Sequence, residues 1–270
     1  MSEGKKEILL GDCLELMKDI PNGSIDMILC DLPYGTTACK WDTIIPFDKL
    51  WEQYERIIKP NGAIVLFGQE PFSSLLRISN LGLYKYDFVW HKGIASNIGH
   101  APNMPMKKHE NIMVFSKAPI GHKSLLGNKR MSYFPQGLQA PKRKITSAES
   151  TKKSEHRTHR EMTVNGKEYK ASNYPISILE YSNASNTERG LHPTQKPTAL
   201  FEYLINTYTN EGDLVLDNTA GSGTTAVACL NTNRQFIVME KEQKYYDIIL
   251  KRVGDFNKKF EPQTLFGNEM

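Results

Sequence analysis

Nowhere among the 270 residues does an apolar run approach a membrane span, and the opening MSEGKKEILLGD offers only a four-residue apolar stretch before Gly11 and Asp12. A span needs about 20 apolar residues and a secretory signal about 7–15, so neither a membrane partner nor export is expected, and the cytoplasm is the expected location. Cysteine is scarce. Cys13, Cys30, Cys39 and Cys229 form no CxxC pair, and the seven histidines form no ligand cluster. This argues against a structural metal or a disulfide framework and for free thiols, buried in the case of Cys30 and Cys229 because both lie in apolar runs. Also missing are the GxGxxG fingerprint and the GxxxxGK[ST] phosphate loop, which disfavours a nicotinamide oxidoreductase or an ATPase.

What is present is enough for a sizeable core: 39% hydrophobic and 24% charged residues suit one α/β domain with a smaller region attached. The net charge of +4 is unevenly spread. Between Lys117 and Lys170 there are thirteen Lys and Arg against four Asp and Glu, while the rest of the chain holds 21 basic and 26 acidic side chains. A basic segment set in an acidic body suits a polyanion-binding surface, and a solvated linker would show the same composition.

Residues 1–117 read as strands followed by helices. Ser24 to Cys30, SIDMILC, ends at Asp31 and is followed at once by the turn-like PYG, the pattern of a buried parallel strand that delivers an acid to its carboxyl end. Phe47, Leu50, Tyr54 and Ile57 keep helical spacing until Pro60, Asn61 and Gly62 stop it. Further strands are predicted at Ala63 to Phe67, Tyr84 to Trp90 and Asn111 to Phe115, with a helix starting at Pro71. Regularity fails over 118–190, which reads as a small basic insertion whose fold the sequence does not disclose. Over 191–270 it returns: a helix from Thr198, a strand from Asp213 to Leu216, a helix from Ser222 to Leu230, a strand from Gln235 to Met239 and an amphipathic helix from Gln243 to Phe256. This alternation predicts an α/β fold with a doubly wound, mostly parallel sheet, whose ligands bind beyond the carboxyl ends of the strands. Asp31 and Asp217 are expected on that edge.

The sharpest local pattern is LVLDNTAGSGTTAVACL, Leu214 to Leu230. A strand ends in Asp217, a small-residue turn carries Gly221 and Gly223, and a helix starts immediately. Glycine allows the tight turn and close backbone approach, and the free N–H groups of a helix start favour a polar ligand. The next apolar run, FIVM, ends at Glu240, nineteen residues beyond Gly221. An acid at that strand end can accept hydrogen bonds from both hydroxyls of a ribose. A glycine turn used only for packing would not require this acid.

DLPYG, Asp31 to Gly35, carries a second chemistry. The exocyclic amine of adenine or cytosine is a poor nucleophile because its lone pair is delocalised into the ring. A carboxylate and a backbone carbonyl can accept its two N–H hydrogens and orient the lone pair for attack, while Tyr34 stacks on the base and Pro33 fixes the backbone path. Alone, such a tetrad is often a turn with a buried tyrosine.

Together the two patterns resemble the amino-group DNA methyltransferases, which form N6-methyladenine or N4-methylcytosine. DLPYG is similar to their DPPY-type tetrad, DNTAGSGTT to their DPFxGSGTT motif, and HPTQKP (His192 to Pro197), GDCLEL, KYDFVWHK and HENIMVFSK to other stretches of the family. The order, with the tetrad first and the glycine turn last, resembles the beta group, a circular permutation of the S-adenosylmethionine-dependent methyltransferase fold. The resemblance implies S-adenosyl-L-methionine as cofactor, duplex DNA as partner and a homodimer, and leaves a cognate restriction nuclease open. It implies a catalytic set of Asp31, Pro33 and Tyr34. Around the cofactor it implies Asp12, Asp31, Thr194, Lys196, Asp217, Thr219, Ala220, Gly221, Gly223 and Glu240. Residues 1–117 and 191–270 would be the two halves of the catalytic domain, and 118–190 the target-recognition insertion.

Two departures stand out: Leu32 replaces the usual first proline, and Asn218 with Thr219 replaces Pro-Phe. The acidic first position resembles the adenine-directed form. Rival readings are a cytosine-N4 enzyme, an RNA amino-methyltransferase and a DNA-binding module without catalysis.

Overall fold

The computed structural model describes residues 5–36, 39, 42–140, 173–182 and 195–260. The chain divides into two compact units, Met1–Phe134 with Ser177–Met270, and Pro135–Ile176. In the described part of the smaller unit, the Asn173 side-chain amide donates to the Gly137 carbonyl at 2.8 Å.

The larger unit is built on an eight-stranded sheet. Its elements are β1 (Lys6–Leu10), α1 (Cys13–Leu16), β2 (Ile25–Cys30), α2 (Phe47–Ile57), β3 (Ile58–Gly68), α3 (Phe72–Ser79), β4 (Tyr84–Ser96), β5 (Lys107–Phe115), α4 (Lys123–Leu126), β6 (Ile178–Glu180), α5 (Thr198–Tyr208), β7 (Leu214–Asp217), α6 (Thr224–Asn231), β8 (Gln235–Glu240) and α7 (Gln243–Phe260). The strand order is β1-β8-β7-β2-β3-β5-β4-β6. Every neighbouring pair is parallel except those made by β5, which runs antiparallel to both β3 and β4.

Period-two alternation divides the side chains of the central strands between two cores. Met27, Leu29, Val65 and Phe67 pack with Leu200, Phe201 and Ile205 of α5 and Ala226 of α6 on one face. Ile28, Cys30, Ile64 and Leu66 pack with Leu50, Trp51 and Tyr54 of α2 and Phe72 of α3 on the other. Burial on both faces explains why these strands read as continuous apolar runs.

Four features depart from the sequence reading. β1, too short to stand out, pairs parallel with β8. The Pro60–Gly62 segment, expected to stop a helix, lies inside β3, where the pairing with β2 shifts register between Ile25 and Met27. Such an irregularity tolerates proline. Gly62 is required there because a Cβ would sit 2.7 Å from the Asp26 carbonyl. β6 arises within the basic region and joins the sheet beside β4. Finally, the division between units falls at Pro135 and Ile176, inside the 118–190 stretch, and Met131 and Leu179 are buried in the core of the larger unit. Among the described residues no helix is long and apolar enough to cross a membrane.

Candidate active site

The carboxyl ends of β2, β7 and β8 open on a cavity of about 1020 Å³, the position at which open α/β sheets bind ligands. One side of it is the turn after β7. The Thr219 amide donates to Asp217 Oδ1 at 3.0 Å and the Thr225 hydroxyl to Oδ2, so the carboxylate pins the turn that follows it to the start of α6. Burial pushes the Asp217 carboxyl up to about 7. Glu240 ends β8 and accepts the Gly221 amide on Oε2 and the Glu242 amide on Oε1, both at 2.8 Å. Each oxygen keeps a lone pair for a ligand. Burial raises its carboxyl above the ordinary range as well. Asp12 caps α1 by accepting the Leu14 amide at 2.9 Å and lines the same cavity.

The other side is the DLPYG turn after β2. The Tyr34 hydroxyl donates to Asp31 Oδ1 at 2.6 Å, and the Lys196 ammonium donates to Oδ2 at 2.6 Å. The tyrosine ring packs on Phe72 with centroids 4.9 Å apart. Asp42 holds the turn itself, accepting the Gly35 amide at 2.8 Å and the Thr36 amide at 2.9 Å. The two sides are joined by Thr219, whose hydroxyl donates to the Asp31 carbonyl at 3.2 Å.

Both departures from the family pattern have structural roles. Leu32 is buried among the apolar side chains beneath the tetrad. Asn218 is buried and accepts the Tyr54 hydroxyl at 2.6 Å and the Cys30 thiol at 2.8 Å. It thereby ties the glycine turn to α2 and β2.

Behind Asp31 stands a group the sequence reading did not single out. Glu110 is 5% exposed. It pairs with Lys92 through Oε1 and with Lys196 at 3.3 Å through Oε2, and it accepts the Gln69 amide at 3.2 Å and the Tyr34 hydroxyl at 3.3 Å. Burial works against its charge, but Lys196 and Lys92 outweigh it and hold the carboxyl below the usual range. Burial also raises Asp31 against the pull of Lys196, with the Glu110 charge adding to the rise. Lys196 is raised, because Asp31 and Glu110 overcome the burial that would lower it. Two lysines and two carboxylates thus balance in a largely buried cluster at the cavity wall, where removing one member leaves an uncompensated charge.

The cavity brings together Asp12, Asp31, Pro33, Tyr34, Lys196, Asp217, Thr219, Ala220, Gly221 and Glu240. Gly223 does not itself line the cavity, although Ser222 and Thr224 on either side of it do. At φ 80° it starts α6, and a Cβ there would meet Ile249 of α7 at 3.0 Å, so its role is backbone conformation and close helix packing. Thr194 lies outside the described residues, as do His192 and the basic side chains from Lys142 to Arg160. Extending the strand-edge rule to Glu110 requires the direction of β5, which the sequence does not disclose. Because β5 is antiparallel, its first residues lie at the same sheet edge as the carboxyl ends of β2, β3 and β4.

Residues 25–251 match a protein family described as DNA methylase. The chain is 27% identical to the Type II methyltransferase M.HpaI of Haemophilus parainfluenzae, over 93% of this chain and 76% of the relative. It is 28% identical to the Type II methyltransferase M.HinfI of Haemophilus influenzae, over 92% of this chain and 68% of the relative. Among solved structures, the M1.HpyAVI–SAM complex superposes with a TM-score of 0.60 at 23% identity, covering 92% of this chain and 98% of that one. The PvuII DNA methyltransferase, cytosine-N4-specific, superposes with a TM-score of 0.65 at 16% identity, covering 97% and 88%. The fold is therefore the permuted, mostly parallel sheet of the S-adenosylmethionine-dependent DNA methyltransferases.

Proposed function

The chain belongs to the DNA methylase family, and on that premise we propose that it transfers a methyl group from S-adenosyl-L-methionine to the exocyclic N6 amine of adenine at specific sites in duplex DNA. The observation that carries this reading is the meeting of two motifs in one cavity, the Asp31–Tyr34 turn and the Gly221 turn with Glu240, bridged by Thr219. The donor set suits the cofactor. Glu240 retains acceptors for ribose hydroxyls and Asp217 offers a carboxylate to an amino-acid ammonium. The turn from Asn218 to Gly223 carries no cationic side chain, as fits a ligand without phosphate. When bound, S-adenosyl-L-methionine would supply an electrophilic sulfonium methyl, with the neutral thioether as its leaving group and the surplus amine proton released to water.

The protein's own part is orientation and charge. Asp31 accepts one amine hydrogen and the backbone carbonyl of Leu32 or Pro33 the other, which turns the lone pair toward the donor. Asp31 also offsets the positive charge that develops on the nitrogen. Tyr34 stacks on the base, its ring set by Phe72 and its hydroxyl by Asp31. Bringing a paired base into the cavity costs a few kcal/mol, recovered from stacking and phosphate contacts. On this reading residues 118–190 carry target recognition, and Lys142, Arg143, Lys144, Lys152, Lys153, Arg157 and Arg160 meet phosphates. A homodimer belongs to the same proposal, and a partner nuclease is left open.

Adenine is favoured by the acid that opens the tetrad. The test is transfer of labelled methyl groups to sequence-diverse unmethylated duplex DNA, with nucleoside mass analysis and mapping. Label in N6-methyladenine at one short motif is the expected result. Label in N4-methylcytosine would keep the mechanism and overturn the base, and label only in RNA would overturn the substrate.

A further inference from the structure

Beside the cavity, β4 and β5 extend into a hairpin whose tip holds apolar side chains out in water. Ile98 is 77% exposed, and Ile94, Met104 and Met106 are exposed as well. The tip is an organised structure. Asn97 adopts a left-handed backbone at φ 72°, the amides of His100 and Ala101 donate to the carbonyls of Asn97 and Ile98 at 3.1 Å, and those of Asn103 and Met104 donate to His100 at 2.8 and 3.0 Å. Below it, the Ser96 hydroxyl donates to the Lys107 carbonyl at 3.2 Å. Trp90, Lys92 and Ser96 of β4 line the cavity, so this strand leads from the cavity to the tip. Beyond Lys92, whose charge is paired with Glu110, the stretch from Gly93 to His109 carries two lysines and two histidines and no acidic residue. An apolar point on a basic, acid-free hairpin is complementary to a polyanion with an apolar interior.

We propose that this hairpin tip enters the DNA duplex beside the cavity, with Ile98 leading and Met104 supporting it, and takes the space in the base stack that the target base leaves. The inference rests on the reading of the protein as a methyltransferase acting on duplex DNA and assigns the step that opens the duplex. Wedging an apolar side chain between base pairs offsets part of the cost of unstacking and keeps the base from returning. The requirement exists only when the target base is paired and stacked.

The experiment compares the full-length protein with Ile98→Ala, Ile98→Ala/Met104→Ala and Ile98→Leu on two oligonucleotides that carry the mapped site. One is a perfect duplex and the other has an abasic position opposite the target. Methyl transfer is read on DNA with adenine at the target, and base opening on matched oligonucleotides with 2-aminopurine in its place, with donor affinity as the control for folding. Because Ile98 is exposed, the substitutions leave the core intact. Transfer to the duplex is expected to fall about tenfold or more in the alanine variants, with a smaller fluorescence rise, while transfer opposite the abasic position changes less than about twofold and Ile98→Leu retains both. Equal losses on the two DNAs, or none on either, would overturn the wedge and leave the methyltransferase reading standing. A wild-type protein that methylates neither DNA overturns both.

Discussion

Asp31 and Asp217 end neighbouring parallel strands, β2 and β7, and face one cavity, yet their surroundings differ in kind. Asp217 is met by an amide from its own turn and a hydroxyl from the start of α6. Asp31 is met by Tyr34 from its own turn and by Lys196 from far along the chain, with Glu110 and Lys92 behind them. The Asp217 side uses short-range backbone geometry to shape a site, and burial is left to set its charge. The Asp31 side uses a long-range ion cluster that supplies a counter-charge to its acceptor. Shaping a pocket requires only local folding, whereas keeping a buried carboxylate available to an amine requires opposite charge from elsewhere.

That contrast makes Asp31 the most sensitive position. Asp31→Ala should lower methyl transfer by about a thousandfold or more while donor affinity stays within about threefold, since the variant loses an oriented acceptor and Lys196 keeps Glu110 as its counter-ion. Single-turnover kinetics with calorimetric donor titration would check it, and an equal loss of donor affinity would erase the division between the two sides. Next is Glu110→Gln, which leaves Lys92 and Lys196 facing one carboxylate. A loss of about 3 kcal/mol in stability is expected, as for breaking a buried pair. The Glu110 charge also raises Asp31, so its removal should shift the acid limb of kcat/KM to lower pH. A merely structural role would lower stability and leave the pH profile in place.

The same contrast explains what could be read from the sequence. The 214–230 stretch was legible because strand, acid, glycine turn and helix are contiguous, and DLPYG was legible for the same reason. Lys92 and Glu110 were not, because their meeting depends on β5 running antiparallel, which the apolar run NIMVF does not reveal. The resemblance implies Gly223 as a cofactor contact, and its packing against Ile249 is a second role that the sequence does not disclose. Asn218 reads in the sequence as a replacement within the family pattern, and its partners Tyr54 and Cys30 lie 164 and 188 residues away.

On the Asp217 side no cation among the described residues offsets the burial, which predicts a pH effect. The carboxyl is raised to about 7 in the folded protein and returns to its ordinary value, near 4, on unfolding. The folded state therefore binds this proton more tightly. The stability it contributes is complete below about pH 4 and is lost as pH rises through about 7. Between pH 5 and pH 8 the wild type should lose roughly 2 to 3 kcal/mol from this group, and Asp217→Asn should remove that part of the slope. Thermal unfolding of both proteins at the two pH values isolates it, because other titrating groups cancel in the difference. Parallel slopes would mean that Asp217 is ionised throughout, and so held by a counter-charge like Asp31.

The smallest effect lies at the join. The Thr219 hydroxyl belongs to the glycine turn and donates to the Asp31 carbonyl at 3.2 Å, so it links the two sides by one neutral hydrogen bond. Thr219→Val keeps the shape and removes the bond, worth about 1 kcal/mol. If that bond sets the register of the tetrad against the donor, kcat should fall about fivefold with donor affinity unchanged, since 1.4 kcal/mol is a factor of ten in rate. Weakened donor binding at constant kcat would instead place Thr219 wholly on the Asp217 side. A change in neither would mean that packing through Asn218 and Tyr54 already fixes the register. The two sides would then be joined by the buried core rather than at the cavity wall.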